Sequence, residues 1–147
     1  MAMNFEYIKT PSGILKLVEI VFVLIAMVIF RGGSIFNSFG DTVAANLFAI
    51  GVMVTSLIIT PLLLVCYIMG RTEIQKTILE MALNFLLFVF LLSAGAVCVD
   101  AWQGVITYDK LLRKAKRQSL TMGTFTLFAS LGYLADFILS IRNYRAE

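Results

Sequence analysis

The sequence contains no histidine. Histidine is the commonest general base and metal ligand near neutral pH, so the residue most often found in either kind of site is missing. The chain also lacks a Gly-x-Ser-x-Gly sequence, a glycine-rich phosphate loop and any cluster with metal-ligand spacing. We therefore expect no catalytic residue, no metal and no cofactor.

Cysteine is scarce as well: the two cysteines, Cys66 and Cys98, both lie inside apolar runs. Neither is in a polar loop, so the sequence shows no extracellular disulfide framework. Cys66 lies near the end of its run and is a candidate for palmitoylation. A buried small residue is the other interpretation of that position.

Charged residues make up only 14% of the chain and hydrophobic residues 60%. An ordinary soluble domain is about 25% charged and about 45–50% apolar. The apolar excess is concentrated in four long runs, which indicates a polytopic membrane protein. The net charge is +3, and the basic residues lie at the ends of the runs. That placement suits lipid headgroups and argues against a nucleic-acid partner.

The four runs predict spans at about residues 14–30, 43–69, 78–102 and 119–141. We predict an all-α polytopic membrane protein, a single domain over residues 1–147 with four antiparallel transmembrane helices and short loops. The longest loop, residues 103–118, is expected to hold a short interfacial helix. Pro61 is expected to bend the second helix because it removes a backbone donor. A cleaved signal peptide is the rival interpretation of the first run, and Glu19 inside that run counts against it.

Two stretches carry a family resemblance. The first run opens Ser12-Gly-Ile-Leu-Lys-Leu-Val-Glu19, and the last contains Tyr133-Leu-Ala-Asp136 before a basic exit. Both resemble the MARVEL domain, the four-helix membrane module of the MAL, synaptophysin and occludin groups. Claudins and tetraspanins have a similar number of spans. Their long cysteine-bearing loops have no counterpart here, and the link at residues 31–42 contains neither tryptophan nor cysteine.

The resemblance implies a non-enzymatic protein that organises membranes, in membrane apposition, vesicle trafficking or cell-junction assembly. Its expected partners are membrane lipids, other integral membrane proteins or further copies of itself. The expected location is the plasma membrane or secretory-pathway vesicles, with both termini cytoplasmic. The positive-inside rule counts Lys and Arg in short loops. That count is tied, because each side carries six: Lys9, Lys16, Arg71, Lys76, Arg142 and Arg145 against Arg31, Lys110, Arg113, Lys114, Lys116 and Arg117.

Several polar residues lie within the runs, near what would be the terminal side of the bundle: Lys16, Glu19, Glu80, Asn84 and Asp136. Ionisable groups inside a membrane are costly and often functional. One interpretation is a structural cluster, with Glu19 paired to Lys16, Glu80 to Lys76, and Asp136 to Arg142 or a tail group. The other is a proton or cation path, which would make the chain a small ion channel or transporter subunit.

Small and basic residues give two further predictions. Ser119, Gly123, Thr126 and Ser130 form a stripe on the last helix, and Gly95 gives the third helix a narrow point. Small residues let helices approach closely, so we predict helix packing there, with interhelical hydrogen bonds from the hydroxyl groups. The loop before the last span holds five basic residues that are candidates for lipid contact: Lys110, Arg113, Lys114, Lys116 and Arg117.

Overall fold

Four long α-helices form the molecule. The computed structural model describes residues 5–32, 43–71, 73–74, 77–106 and 108–145. A short 3-10 helix, Phe5–Lys9, precedes four helices: α1 Pro11–Gly32, α2 Val43–Ile68, α3 Ile78–Gln103 and α4 Lys110–Arg145. All four are long and apolar enough to cross a membrane. The predicted all-α, four-span architecture is confirmed.

The helices form a ring in which each packs against its neighbours along the chain and α4 closes onto α1. The interface between α3 and α4 is the most extensive, followed by that between α1 and α4. The pairs α1–α3 and α2–α4 therefore lie across the diagonals of the bundle. Residues at the start of α1 and α3 lie beside the end of α4, as an antiparallel order requires.

Thr10 and Gly13 determine where α1 begins. The Thr10 hydroxyl accepts a hydrogen bond from the Gly13 backbone amide at 3.2 Å, which satisfies one of the free amides of the first turn. Pro11 is the first helical residue, a position that needs no amide donor. A Cβ at Gly13 would collide with the backbone carbonyl of Tyr7. Glycine therefore lets the 3-10 helix fold back against the first turn of α1.

The start of α4 differs from the prediction. The basic segment up to residue 118 was expected to be a loop with a short interfacial helix separate from the last span, but α4 is one continuous helix from Lys110. The connection from α3 is only residues 104–109, and the Lys116 ammonium donates to the carbonyls of Gln103 at 3.2 Å and Val105 at 2.8 Å. No glycine or proline lies between Gly104 and Gly123, and most residues at 110–118 favour helix. The basic residues therefore occupy the first turns of a helix.

Polar and small residues, together with apolar ones, fill the interior, while large apolar side chains cover the outside. The main buried cluster includes Val23, Met53, Leu91, Met122 and Tyr133. Large apolar side chains that are at least half exposed occur on every helix, which suits contact with lipid chains. The chain is thus an integral, multi-pass membrane protein. α2 runs through Pro61 without interruption, and its bend stays a prediction.

Candidate functional site

Lys16 is at the centre of a polar cluster inside the bundle. Its side chain is fully buried, one and a half turns into α1. The ammonium donates to Asn84 Oδ1 of α3 at 2.8 Å and forms an ion pair with Asp136 of α4. It also lies 3.7 Å from Glu19 Oε2, one turn further along α1. One cation thus connects three helices.

Asp136 accepts hydrogen bonds from side chains of two other helices, α1 and α3. Ser12 Oγ donates to Asp136 Oδ1 at 3.1 Å, and Asn84 Nδ2 donates to Asp136 Oδ2 at 3.1 Å. Asn84 Nδ2 also lies 3.3 Å from the hydroxyl of Ser140, one turn after Asp136 on α4. Hydrogen bonds and an ion pair together compensate the cost of burying this carboxylate.

The predicted pairing of Asp136 with Arg142 was wrong. Arg142 is exposed, and Asp136 pairs with Lys16 instead. Six residues on a helix correspond to about 240° of rotation, so Asp136 and Arg142 cannot share a face. The other predicted partner, Lys76 for Glu80, lies outside the described residues.

Glu19 and Glu80 are buried without full hydrogen bonding. Among the described residues, both carboxylate oxygens of Glu19 and Oε2 of Glu80 have no hydrogen-bond partner. The Tyr67 hydroxyl interacts with the Glu80 carboxylate but lacks ordinary hydrogen-bond geometry to it. A Cβ at Gly132 would lie only 3.1 Å from Glu19 Cγ, so glycine at that position leaves room for the Glu19 side chain. Asp136 and Glu19 therefore share the Lys16 ammonium, and Glu80 forms no salt bridge within the described ranges.

Both diagonals of the bundle are bridged at this end. Lys16 and Asn84 link α1 to α3, and a hydrogen bond between the hydroxyls of Thr60 and Tyr133 links α2 to α4. The Tyr133 ring also lies 5.8 Å from the Lys16 ammonium, measured to its centroid, within reach of a cation–π interaction. The polar cluster consequently includes side chains from all four helices.

The sequence predicted that one end of the bundle holds five polar residues, Lys16, Glu19, Glu80, Asn84 and Asp136, and the structure places them together. The hydroxyl partners of that set were not predicted. Helical spacing points to most of them, because residues three or four apart share a face. The missed partners are Ser12, Tyr133 and Ser140, which are spaced this way from Lys16 or Asp136, and Thr60 and Tyr67 on α2.

Gly95, Ser119 and Gly123 lie in the α3–α4 interface. A Cβ at Gly123 would be 3.1 Å from Val99 and 3.2 Å from Cys98 Sγ, and one at Gly95 would be 2.8 Å from the Leu127 side chain. The Cys98 thiol donates to the Ser119 carbonyl at 3.2 Å. Close approach at these glycines thus agrees with the small-residue pattern.

The hydroxyl groups of that stripe bond differently from the prediction. Thr126 donates to the Met122 carbonyl at 2.9 Å and Ser130 to the Leu127 carbonyl at 2.7 Å, both within α4. The expected interhelical hydrogen bonds from these two hydroxyls are not formed, because each satisfies a carbonyl one turn earlier. Small side-chain size, and not hydrogen bonding between helices, accounts for their place in the interface.

The remaining candidates lie away from the polar cluster. Lys110, Arg113, Lys114 and Arg117 are exposed at the other end of the bundle and line an open cavity of about 260 Å³. Cys66 is partly exposed near the end of α2 and has a free thiol; its palmitoylation stays a prediction. Among the described residues, no three acidic or cysteine side chains are arranged to hold a metal ion.

Comparison with known proteins gives one family and one relative. The MARVEL family, described as a membrane-associating domain, matches residues 7–139, which include Lys16, Glu19, Glu80, Asn84 and Asp136. The protein snakeskin of Bombyx mori is 27% identical over 147 residues, covering 91% of this chain and 93% of that protein. Among solved structures, none matches the chain.

Proposed function

Because the chain belongs to the MARVEL family of membrane-associating domains, we propose that it organises membranes without enzymatic activity. It would act in membrane apposition, vesicle trafficking or cell-junction assembly, at the plasma membrane or on secretory-pathway vesicles. Its contacts would be lateral, with lipids, other integral membrane proteins or further copies of itself.

The apolar exterior supports this proposal most directly. Large side chains on the outer faces of the helices are strongly exposed, for example Leu47 at 64%, Ile58 at 61% and Leu62 at 61%. Few residues separate α2 from α3 and α3 from α4: residues 69–77 in the first case and residues 104–109 in the second. Loops of this length offer little surface for a soluble partner, so most recognition falls within the bilayer.

The polar cluster has a structural role in this proposal. Lys16, Glu19 and Asn84 are fully buried, so no soluble substrate reaches them. Polar groups in a membrane interior find partners in the protein because lipid offers none. The cluster would therefore fix which faces of the helices point inward and which point to lipid.

Proximity labelling in cells tests the proposal. A labelling enzyme is fused after Glu147, and the neighbours of the wild type are compared with those of an Ile58→Ala/Leu62→Ala/Val65→Ala variant. These side chains lie on the lipid-facing side of α2 and are at least half exposed. We expect mainly integral membrane proteins among the neighbours, and a changed set for the variant at unchanged thermal stability.

The matched control alters another outer face, with Phe128, Leu131 and Ile138 of α4 replaced by alanine; these are also at least half exposed. If one of these outer faces binds a partner, alanines on that face should remove that partner from the labelled neighbours, and alanines on the other face should leave it among them. If the neighbours are mostly soluble proteins, or if neither variant changes them, contacts within the bilayer do not carry the function.

An ion channel or transporter subunit is the second candidate, because buried oxygens of Glu19 and Glu80 accept no hydrogen bond from the part of the chain that the structure describes. Flux through purified protein in liposomes separates the two functions. The structural role predicts no flux in the wild type. It also predicts that Glu80→Gln causes only a modest loss of stability. A flux that Glu80→Gln abolishes at matched stability, and that Glu73→Gln in the exposed α2–α3 link preserves, would establish conduction instead.

A further inference from the structure

Four cations form a stripe at the start of α4. Lys110, Arg113, Lys114 and Arg117 recur at i, i+3, i+4 and i+7, so they share one helix face, and all are exposed. Within the described part of the chain, none of them forms a salt bridge; the two salt bridges found there both belong to Lys16. Lys116 lies on another face and caps α3. The stripe is thus an uncompensated positive surface.

The stripe lies directly above a lipid-facing surface. The same face of α4 continues through Thr121, Thr124, Phe128 and Leu131, which are all exposed. The opposite face carries Ala115, Met122 and Thr126, which are buried against the bundle. A molecule that lies along the outer face of α4 would therefore meet apolar side chains in the membrane and cations at its edge.

Helix length places the cations at the headgroups. With 36 residues, α4 is about 54 Å long at about 1.5 Å per residue. The hydrocarbon core is about 30 Å thick. The continuous apolar part of α4 begins after Ser119, so the first turns extend out of the hydrocarbon. The cations there are at the height of phosphate or sulfate groups.

A groove between α1 and α4 adjoins the stripe. This cavity of about 370 Å³ is lined by Val28 and Ile29 of α1 and by Arg117, Gln118 and Thr121 of α4. Arg117 also lines the cavity of about 260 Å³ formed by the cationic stripe. One arginine thus joins a cationic recess to a groove with an apolar wall, which matches a ligand with a charged head and an acyl chain.

We propose that this end of the molecule binds an anionic lipid. Its phosphate or sulfate lies among Lys110, Arg113, Lys114 and Arg117, and an acyl chain lies in the groove against Val28 and Ile29. The inference needs only a membrane-embedded chain, so it stands independently of the partners and cell biology proposed above. It names anionic lipids as the class that binds, whereas the proposed function states only lateral contact with lipids.

Lipid selectivity in reconstituted membranes tests the site. The full chain is placed in phosphatidylcholine bilayers with spin-labelled probes, and the motionally restricted fraction is measured. Two pairs isolate the charge: phosphatidylserine against phosphatidylcholine, and sulfatide against galactosylceramide. We expect the anionic member of each pair to be preferred, with a loss of roughly fivefold for each cation removed, as for one basic residue near an anionic surface.

Three variants and a competitor sharpen the test. Replacing all four stripe cations by glutamine should abolish the preference, whereas Arg142→Gln/Arg145→Gln at the other end should leave it unchanged. Ile29→Trp, which fills the groove, should weaken binding of the anionic probes while the cations stay. Equal binding of both members in each pair, or an unchanged preference in the fourfold variant, overturns the proposal. Full displacement by inorganic phosphate would identify a site for a soluble anion and also overturn it.

A separate readout distinguishes failure of this site from failure of the proposed function. The fourfold variant is also expressed in the proximity-labelling experiment. Lost lipid preference with an unchanged set of neighbours would mean that the lipid site and the lateral partners are independent. An unaltered lipid preference would reject the site whatever the neighbours show.

Discussion

Lys16 is a fully buried lysine, and its charge needs partners inside the bundle. The Lys16 ammonium is enclosed by Asp136, Glu19 and Asn84. A charge inside a membrane is tolerated when it faces the interior of the bundle and finds partners there. These contacts also cross from α1 to α3 and α4, so the buried cation connects three helices.

Removing the Lys16 charge should destabilise the bundle strongly. Lys16→Met keeps most of the side-chain volume but leaves Asp136 and Glu19 without their cation, and breaking a buried pair in this way costs about 3–5 kcal/mol. We expect a large loss of thermal stability in detergent. Lys9→Met, at an exposed position, is the control. Equal melting temperatures for the two variants would show that the ion pairs contribute little.

The diagonal hydroxyl pair should be coupled energetically. Thr60 and Tyr133 hydrogen-bond each other across the bundle. Hydrogen bonds between membrane helices contribute about 0.6 kcal/mol on average and up to about 1.7 kcal/mol. In a double-mutant cycle with Thr60→Val and Tyr133→Phe, we expect a coupling free energy in that range. Purely additive effects would mean that the two hydroxyls act separately.

At residue scale, the sequence predicted positions better than partners. Lys16, Glu19 and Asp136 stand out because charges are rare in apolar runs, and the four-helix order brings them to one end. The choice of Arg142 for Asp136 failed because it relied on nearness in sequence, and helix rotation separates the two. Tyr133 was missed because a tyrosine in an apolar run resembles ordinary core until its hydroxyl finds Thr60.

At the scale of elements, the α3–α4 interface depends on small residues. Gly95 and Gly123 have side-chain atoms of the facing helix within 3.4 Å of where a Cβ would lie. Such contacts gain dispersion energy only while both backbones stay close. Because α4 packs against both α3 and α1, a shift of α4 at this interface would also disturb the polar cluster.

A large side chain at Gly123 should separate α3 from α4. Gly123→Leu would push into Val99 and Cys98, and overpacking of this kind costs about 1–3 kcal/mol. We expect lower thermal stability and poorer monodispersity in detergent. Gly51→Leu is the matched control, since nothing lies within 4 Å of a Cβ there. It brings the same gain in helix propensity that leucine brings at Gly123, so this gain cancels in the comparison. Equal behaviour of the two variants would contradict a close α3–α4 contact at Gly123.

Hydropathy identified all four helices but not the true start of α4. The apolar run begins after Ser119, and the polar residues before it were assigned to a loop with a short helix of its own. Their helix propensity and the absence of glycine and proline extend the helix back to Lys110. Membrane-crossing length and helix length are different quantities, and only the first can be read from hydropathy.

At the scale of the whole molecule, the two ends differ in chemistry. The end that carries the described N-terminal 3-10 helix and the C-terminal turns of α4 also holds the buried polar cluster. The other end carries the exposed cationic stripe. Because Lys16 is buried, it does not count among the interfacial charges. The numbers of Lys and Arg residues at the two ends are then nearly equal. The charge rule therefore does not fix the orientation, and the prediction follows the family resemblance.

We predict that both termini are cytoplasmic, which puts the α3–α4 connection on the opposite side. In a background with Cys66→Ala and Cys98→Ala, Tyr108→Cys and Tyr144→Cys each introduce one thiol at an exposed position, 92% and 48% exposed respectively. A membrane-impermeant maleimide should label the first in intact cells and the second only after permeabilisation. The reverse pattern would invert the orientation. Labelling of both in intact cells would contradict the crossing of α4, because Tyr108 lies just before that helix and Tyr144 lies in its last turn. Epitope tags at Met1 and Glu147 should agree with Tyr144→Cys, since an even number of spans puts both ends on one side.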